Sequence, residues 1–275
     1  MKLGIGSFAY RWSMGRPYYR PEKPMTVDQL IDRCVHYNIK SVLLCNNIPL
    51  HEFTESQLTV IKDRLNKEGI EAETGSRGTD FYYFKRMLEV SRFLGSKVIR
   101  IGWDMDRNAD EKSIQKQVQN GIETIGSLMT IAHEYGIQVA IENGKLNDIY
   151  EVKAIIDGVN DPFFGCAVDT CNSTCFITPT EEVVRTLAPY AKSVHFKDYV
   201  VKLNNRGDII TGVPLGQGYV DFNLMLKILK ENGYDGNIFL ELYIDRFEDY
   251  KETCAYEEEC VRLSVEYACN ELKLQ

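Results

Sequence analysis

Short apolar runs alternate with amphipathic stretches from one end of the chain to the other. Eight of the runs predict strands: Leu3–Phe8, Ser41–Cys45, Ile70–Thr74, Val98–Gly102, Gln138–Glu142, Gly165–Asp169, Ser193–His195 and Ile238–Glu241. Between them the apolar positions recur at helical spacing. VDQLIDRCVHY follows the first strand, with Thr26 as its N-cap. Three further helical stretches stop at Gly69, Gly95 and Gly136, where glycine allows the left-handed turn that closes a helix. DIYEVKAIIDGV, EEVVRTLAPYA, DFNLMLKILKENG and an acidic helix from about Asp249 complete the series.

Eight strands, each followed by a helix, predict an α/β fold of the (β/α)8 TIM barrel type, which typically needs about 250 residues. The chain has 275, and no linker or low-complexity tract divides it, so one domain over residues 1–275 is expected. An open doubly wound sheet usually carries a glycine-rich first turn, and GIGSFAYRW is not GxGxxG. The longest irregular segments, Ala9–Pro24 and Tyr199–Tyr219, both follow barrel strands on the side where active sites form.

Hydrophobic residues make up 44% of the chain and charged residues 26%, enough apolar content for a full core. The net charge is -8 with no Lys/Arg cluster, which points away from nucleic acid and toward a small-molecule substrate. MKLGIGSF reads as a first strand, not a signal peptide, and no run of about 18 apolar residues predicts a membrane span. Eight cysteines in a chain of this length read as reduced thiols, so a cytoplasmic location is expected. Cys166, Cys171 and Cys175 surround Asp169. Without a CxxC pair they read as small buried side chains before a thiolate zinc site.

The chemistry lies at the strand tips. Glu142, Asp169, His195 and Glu241 each end one of the last four predicted strands. Charged groups at the end of an apolar strand are costly to bury unless paired or metal-bound. Three carboxylates converging on one imidazole would repel one another, and a divalent cation removes that repulsion. The hard, oxygen-rich set favours Mn²⁺ or Mg²⁺, with Co²⁺, Fe²⁺ and Zn²⁺ compatible.

GIGSFAYRW, IEN at Glu142–Asn143, VDT at Asp169–Thr170, HFKD at His195–Asp198, PLGQGYVDF and LELY together resemble the xylose isomerase-like TIM barrel superfamily of sugar isomerases and epimerases. The resemblance covers essentially the whole chain. It implies that Glu142, Asp169, His195 and Glu241 bind one divalent metal. In the ketose 3-epimerase branch the two Glu ligands also serve as acid/base groups on opposite faces of the substrate, positions matched by Glu142 and Glu241. That branch carries a His three residues after the Asp and an Arg six residues after the His. Asn172 and Val201 stand there in this chain. The resemblance also implies a homodimer or homotetramer.

A cation bound to carbonyl and hydroxyl oxygens stabilises an enediolate, so a neighbouring Glu can remove a proton from carbon and a second group can return it. The same intermediate forms when a β-keto acid loses CO₂. Two functions are therefore carried forward: a metal-dependent sugar isomerase or epimerase, and a lyase acting on an oxo sugar acid. DNA abasic-site cleavage, the endonuclease IV branch, needs many imidazoles. This chain has four His, and His36 and His133 fall in helical patterns.

Lys197 shares the inward face with His195, as a third catalytic candidate or as the partner of a neighbouring carboxylate. Arg77 and Arg100 sit at the third and fourth strands, either on a substrate carboxylate or phosphate or in an ion pair with a barrel Glu such as Glu73. Phe8, Tyr10, Trp12 and Trp103 are candidates to wall a sugar pocket, with core packing as the other reading. Asn172, Asn46 and Asn47 are candidate hydroxyl contacts, and Gly216 and Gly218 predict a tight turn near the mouth.

Overall fold

A computed structural model describes all 275 residues. Eight parallel strands close into a barrel: β1 (Lys2–Gly6), β2 (Ser41–Leu44), β3 (Glu71–Arg77), β4 (Val98–Gly102), β5 (Gln138–Glu142), β6 (Phe164–Asp169), β7 (Ala191–Phe196) and β10 (Asn237–Leu240). The order around the barrel is sequential, and β1 closes it against β10 with Ile5 opposite Leu240. Eight helices follow the strands: α1 (Val27–His36), α2 (Glu55–Glu68), α3 (Phe81–Leu94), α4 (Glu111–Tyr135), α5 (Ile149–Val159), α6 (Thr180–Leu187), α7 (Phe222–Glu231) and α8 (Tyr250–Asn270). No helix is long and apolar enough to cross a membrane.

The predicted punctuation holds. Thr26 caps α1 in a reciprocal box with Gln29, and Gly69, Gly95 and Gly136 end their helices at φ of 63°, 81° and 67°. Tyr199–Tyr219 is not irregular. It holds an antiparallel hairpin of β8 (Asp198–Asn204) and β9 (Gly207–Val213) that projects from the barrel mouth. The third strand runs on through Arg77, so that residue is part of the barrel.

Most of the core lies between barrel and helices, where outward Ile, Leu and Val of the strands meet the inner stripes of the helices. Inside the barrel the side chains stack in layers, as alternation requires. Phe239 fills the middle. Gly4 faces it, and a Cβ there would come within 2.5 Å of the Phe239 ring. Below Phe239 sits Glu73, buried, accepting hydrogen bonds from Ser193 Oγ and Asn237 Nδ2 at 2.9 Å each. Above it, at the C-terminal ends of the strands, is the polar mouth.

Burial pushes the Glu73 carboxyl from 4.5 up to about 7, against the pull of its two hydrogen bonds. The native state therefore keeps a proton that the unfolded chain releases. This contribution to stability is complete below about pH 4.5 and is lost as pH rises through about 7, a change of about 3 kcal/mol at most at ~1.4 kcal/mol per unit. Glu73→Gln keeps a neutral group on the same partners. It is expected to melt above the wild type at about pH 8, with the difference vanishing near pH 4. Thermal melts across that range check this, and parallel slopes for the two proteins would contradict it.

Candidate functional site

Four strands deliver the four donors. Glu142 ends β5, Asp169 ends β6, His195 lies on β7 and Glu241 follows β10. One ligand atom from each lies within 4.8 Å of the others, and all four side chains are buried. His195 Nδ1 is at the centre: 2.8 Å from Glu142 Oε1, 3.8 Å from Glu241 Oε1 and 4.0 Å from Asp169 Oδ2. The ring's other nitrogen, Nε2, has no hydrogen-bond partner, so this cluster alone engages the imidazole.

The remaining carboxylate oxygens are held from behind. Asp169 Oδ1 accepts the backbone N–H groups of Cys171 and Asn172 at 2.8 Å each. Glu142 Oε2 accepts from Arg100 Nη2. Glu241 Oε2 lies 2.9 Å from Lys197 Nζ, which is also 2.5 Å from Asp169 Oδ2. Cys45 donates its thiol to Glu241 Oε1 at 3.5 Å. Strand-to-strand clips fix the frame. Asn143 accepts the Asp169 N–H and donates to the Asp169 carbonyl, while Thr170 Oγ1 accepts the Lys197 N–H and donates to its carbonyl. Such outer contacts orient ligand atoms toward a common point.

Electrostatics follow from this packing. Burial would raise Glu142 and Glu241, but Arg100 and His195 at Glu142, and Lys197 and His195 at Glu241, outweigh it and hold both below the ordinary range. Burial pushes Asp169 up despite Lys197. His195 would lose its proton on burial, yet the carboxylates of Glu241 and Glu142 raise it. Three carboxylates face two buried cations. Glu142 Oε1, Asp169 Oδ2, Glu241 Oε1 and His195 Nδ1 surround one point, with Lys197 Nζ on Asp169 Oδ2 and the Cys45 thiol on Glu241 Oε1, and the oxygen-rich set fits a divalent cation.

Glu142 and Glu241 of the cluster line a cavity of about 530 Å³ that opens at the barrel mouth, with Asp169 and His195 outside its lining. Arg77, Arg100, Trp103, Asn172 and Lys197 line it, as does Phe8. Asn46 and Asn47 line it too, and Asn46 Oδ1 accepts from Arg100 Nη1 at 3.0 Å. Arg77 pairs with Asp104 at 2.5 Å on the rim. Arg100 pairs with Glu142, not Glu73, because it lies level with Gly75, one inward position nearer the mouth than Glu73.

Tyr10 and Trp12 are corrections. Both belong to the core outside the cavity lining, Tyr10 with its hydroxyl 3.3 Å from Glu258 and Trp12 with its indole N–H on the Ile244 carbonyl. Strand alternation ends at Gly6, and a 3-10 turn over Ser7–Tyr10 redirects the side chains that follow. The Cys166, Cys171 and Cys175 thiols stay outside the donor cluster, and all eight cysteines are unpaired. Gly216 and Gly218 do form the tight turn. Their N–H groups donate to Asp198 Oδ2, and a Cβ on Gly218 would sit 2.2 Å from Asp198 Oδ1.

Sequence patterns missed Arg11, Lys145 and Tyr243, which come from three loops and meet at the cavity wall. Burial would raise the Tyr243 hydroxyl, but Arg11 and Lys145 beside it bring it down to about 8.

The family described as xylose isomerase-like TIM barrel matches residues 52–263. A curated relative, 3-oxo-isoapionate decarboxylase of Pectobacterium atrosepticum, is 22% identical over 269 residues, covering 97% of this chain and 94% of the relative. D-psicose 3-epimerase with D-tagatose from Clostridium cellulolyticum superposes with a TM-score of 0.75 at 14% identity, covering 100% of this chain and 99% of the other. A xylose isomerase-like TIM barrel protein from Mycobacterium smegmatis in complex with magnesium gives 0.68 at 15% identity, with 96% and 97% covered. At these identities the superpositions establish a shared fold.

Proposed function

Because the chain belongs to the xylose isomerase-like TIM barrel family, we propose that it is a divalent-metal-dependent enzyme of carbohydrate or sugar-acid chemistry, first as an isomerase or epimerase. The observation that carries this reading is the convergence of Glu142, Asp169, His195 and Glu241 within 4.8 Å, with both Glu lining a sugar-sized cavity. We assign those four residues as the holders of one Mn²⁺ or Mg²⁺ ion. When bound, the cation would supply Lewis-acid polarisation of a carbonyl and neutralise charge on the enediolate oxygens.

The chain's own residues do the rest. Glu142 and Glu241 come from strands separated by two others, so a sugar carbon set between them meets a carboxylate on either side. Arg100 and Lys197 keep these two groups ionised, the form a base needs. One Glu removes the proton on carbon, and the other, once it has taken a proton from solvent, delivers it from the opposite side. Lys197 positions Glu241, and Asn172 Oδ1, 3.4 Å from Lys197 Nζ, lines the same wall. We place the enzyme in the cytoplasm on its eight unpaired cysteines.

A second reading, a lyase that removes CO₂ from an oxo sugar acid, draws support from the near full-length similarity to 3-oxo-isoapionate decarboxylase. One experiment separates the two. The Mn²⁺-loaded protein is incubated in D₂O with a panel of ketoses, aldoses and oxo sugar acids. Deuterium entering carbon with the carbon skeleton intact marks the isomerase or epimerase; CO₂ release marks the lyase. Neither event with any compound would remove both readings.

A further inference from the structure

Six cationic side chains line the cavity, against three carboxylates, in a chain whose net charge is -8. Arg77, Arg100 and Lys197 carry carboxylate partners. Arg11, Arg16 and Lys145 have no carboxylate oxygen within 4.0 Å. Counting Asp169 behind the wall and Glu257, whose carboxyl burial raises and Arg11 pulls down, the lining still holds one surplus positive charge, and a bound divalent cation would add two more.

Arg11 is the informative member. It is only 6% exposed, and its Nε has no hydrogen-bond partner. Its guanidinium carbon lies 4.1 Å from the centroid of the Tyr243 ring and 4.8 Å from that of Trp12. Lys145 Nζ lies 3.5 Å from the Tyr243 centroid. A buried guanidinium with no carboxylate in contact is costly. The aromatic faces offset part of that cost and fix the plane of the group. They leave its N–H groups without a carboxylate, the partner with which a guanidinium forms a bidentate fork.

We infer that Arg11 and Lys145, both seated on Tyr243, form an anion seat at the cavity mouth, so that the substrate carries a carboxylate or phosphate group. The inference rests on the proposed reading of this cavity as a sugar site. The seat draws on the loops after β1, β5 and β10, whereas Arg77 and Arg100 are already neutralised by protein carboxylates.

The test is calorimetric titration of the Mn²⁺-loaded protein with three probes: D-fructose, D-ribulose 5-phosphate and 2-keto-D-gluconate. At least one anionic probe is expected to bind about tenfold or more tightly than fructose, with the advantage shrinking as salt rises. Which anion is preferred identifies the group. Lys145→Gln, at an exposed position, and Arg11→Lys, which keeps charge but loses the fork, are each expected to remove about fivefold or more of that advantage. Mn²⁺ affinity should stay at the wild-type value. Equal binding of fructose and both anions, or an undiminished advantage in both variants, would overturn the anion seat while leaving the sugar site standing. No binding by any of the three would overturn the sugar reading and this inference with it.

Discussion

Glu142→Gln and Glu241→Gln are each expected to slow solvent deuterium exchange into substrate by about 10³-fold, within the range spanned by removal of a positioned acid or base. The amide keeps the shape of the carboxylate and an oxygen that can still face a cation. It cannot take a proton from carbon. Both groups sit beside a buried cation that holds them ionised, Glu142 with Arg100 and Glu241 with Lys197. Glutamine takes from Arg100 its one paired carboxylate and from Lys197 one of its two, so circular dichroism and melting must first establish that the variants are folded. Rates are then compared at Mn²⁺ concentrations that saturate each variant, which separates lost acid/base chemistry from weakened metal binding. Exchange at the wild-type rate in both variants would sink the acid/base assignment.

Lys197→Met is expected to destabilise the metal-free protein by about 3–5 kcal/mol, the usual cost of removing one member of a buried ion pair. Lys197 Nζ lies within 2.9 Å of two carboxylates, Asp169 and Glu241, and no other cation of the chain pairs with either within 4.0 Å apart from the His195 ring. A divalent ion at the same carboxylates supplies the missing positive charge. The variant should therefore regain much of its melting temperature on addition of Mn²⁺, a larger gain than the wild type shows. By linkage, whatever part of the penalty the ion relieves appears as tighter binding, about tenfold for each 1.4 kcal/mol. Melts with and without Mn²⁺ decide it. An equal Mn²⁺ shift in variant and wild type would mean that lysine and ion do not share the carboxylates.

The four donors were legible because each sits at a strand tip, where alternation fixes the side that a residue faces. Barrel closure then brings successive tips together without any loop geometry being known. The helix ends were legible for a similar local reason: Thr26 and the closing glycines act through their own backbone neighbourhood. Partners across the barrel were not. Arg100 meets Glu142 instead of Glu73 because β3 and β4 pair Gly75 with Arg100, a register that a single strand does not encode. Tyr10 and Trp12 were lost where the strand period gave way to a 3-10 turn. Arg11, Lys145 and Tyr243 are far apart in sequence and meet only through three loops, so no spacing rule could pair them. The hairpin of β8 and β9 did leave a signal, apolar runs on either side of Asn205–Gly207, where Gly207 adopts φ of 137°.

The most direct measurement is a Mn²⁺ titration of chelator-stripped protein, followed by calorimetry and by the electron paramagnetic resonance of free Mn²⁺, for wild type and Asp169→Ala. One ion per chain is predicted for the wild type, with affinity falling by at least about 100-fold in the variant. A wild type that binds no ion, or a variant that binds it as tightly, would contradict the metal centre on which the proposed chemistry depends.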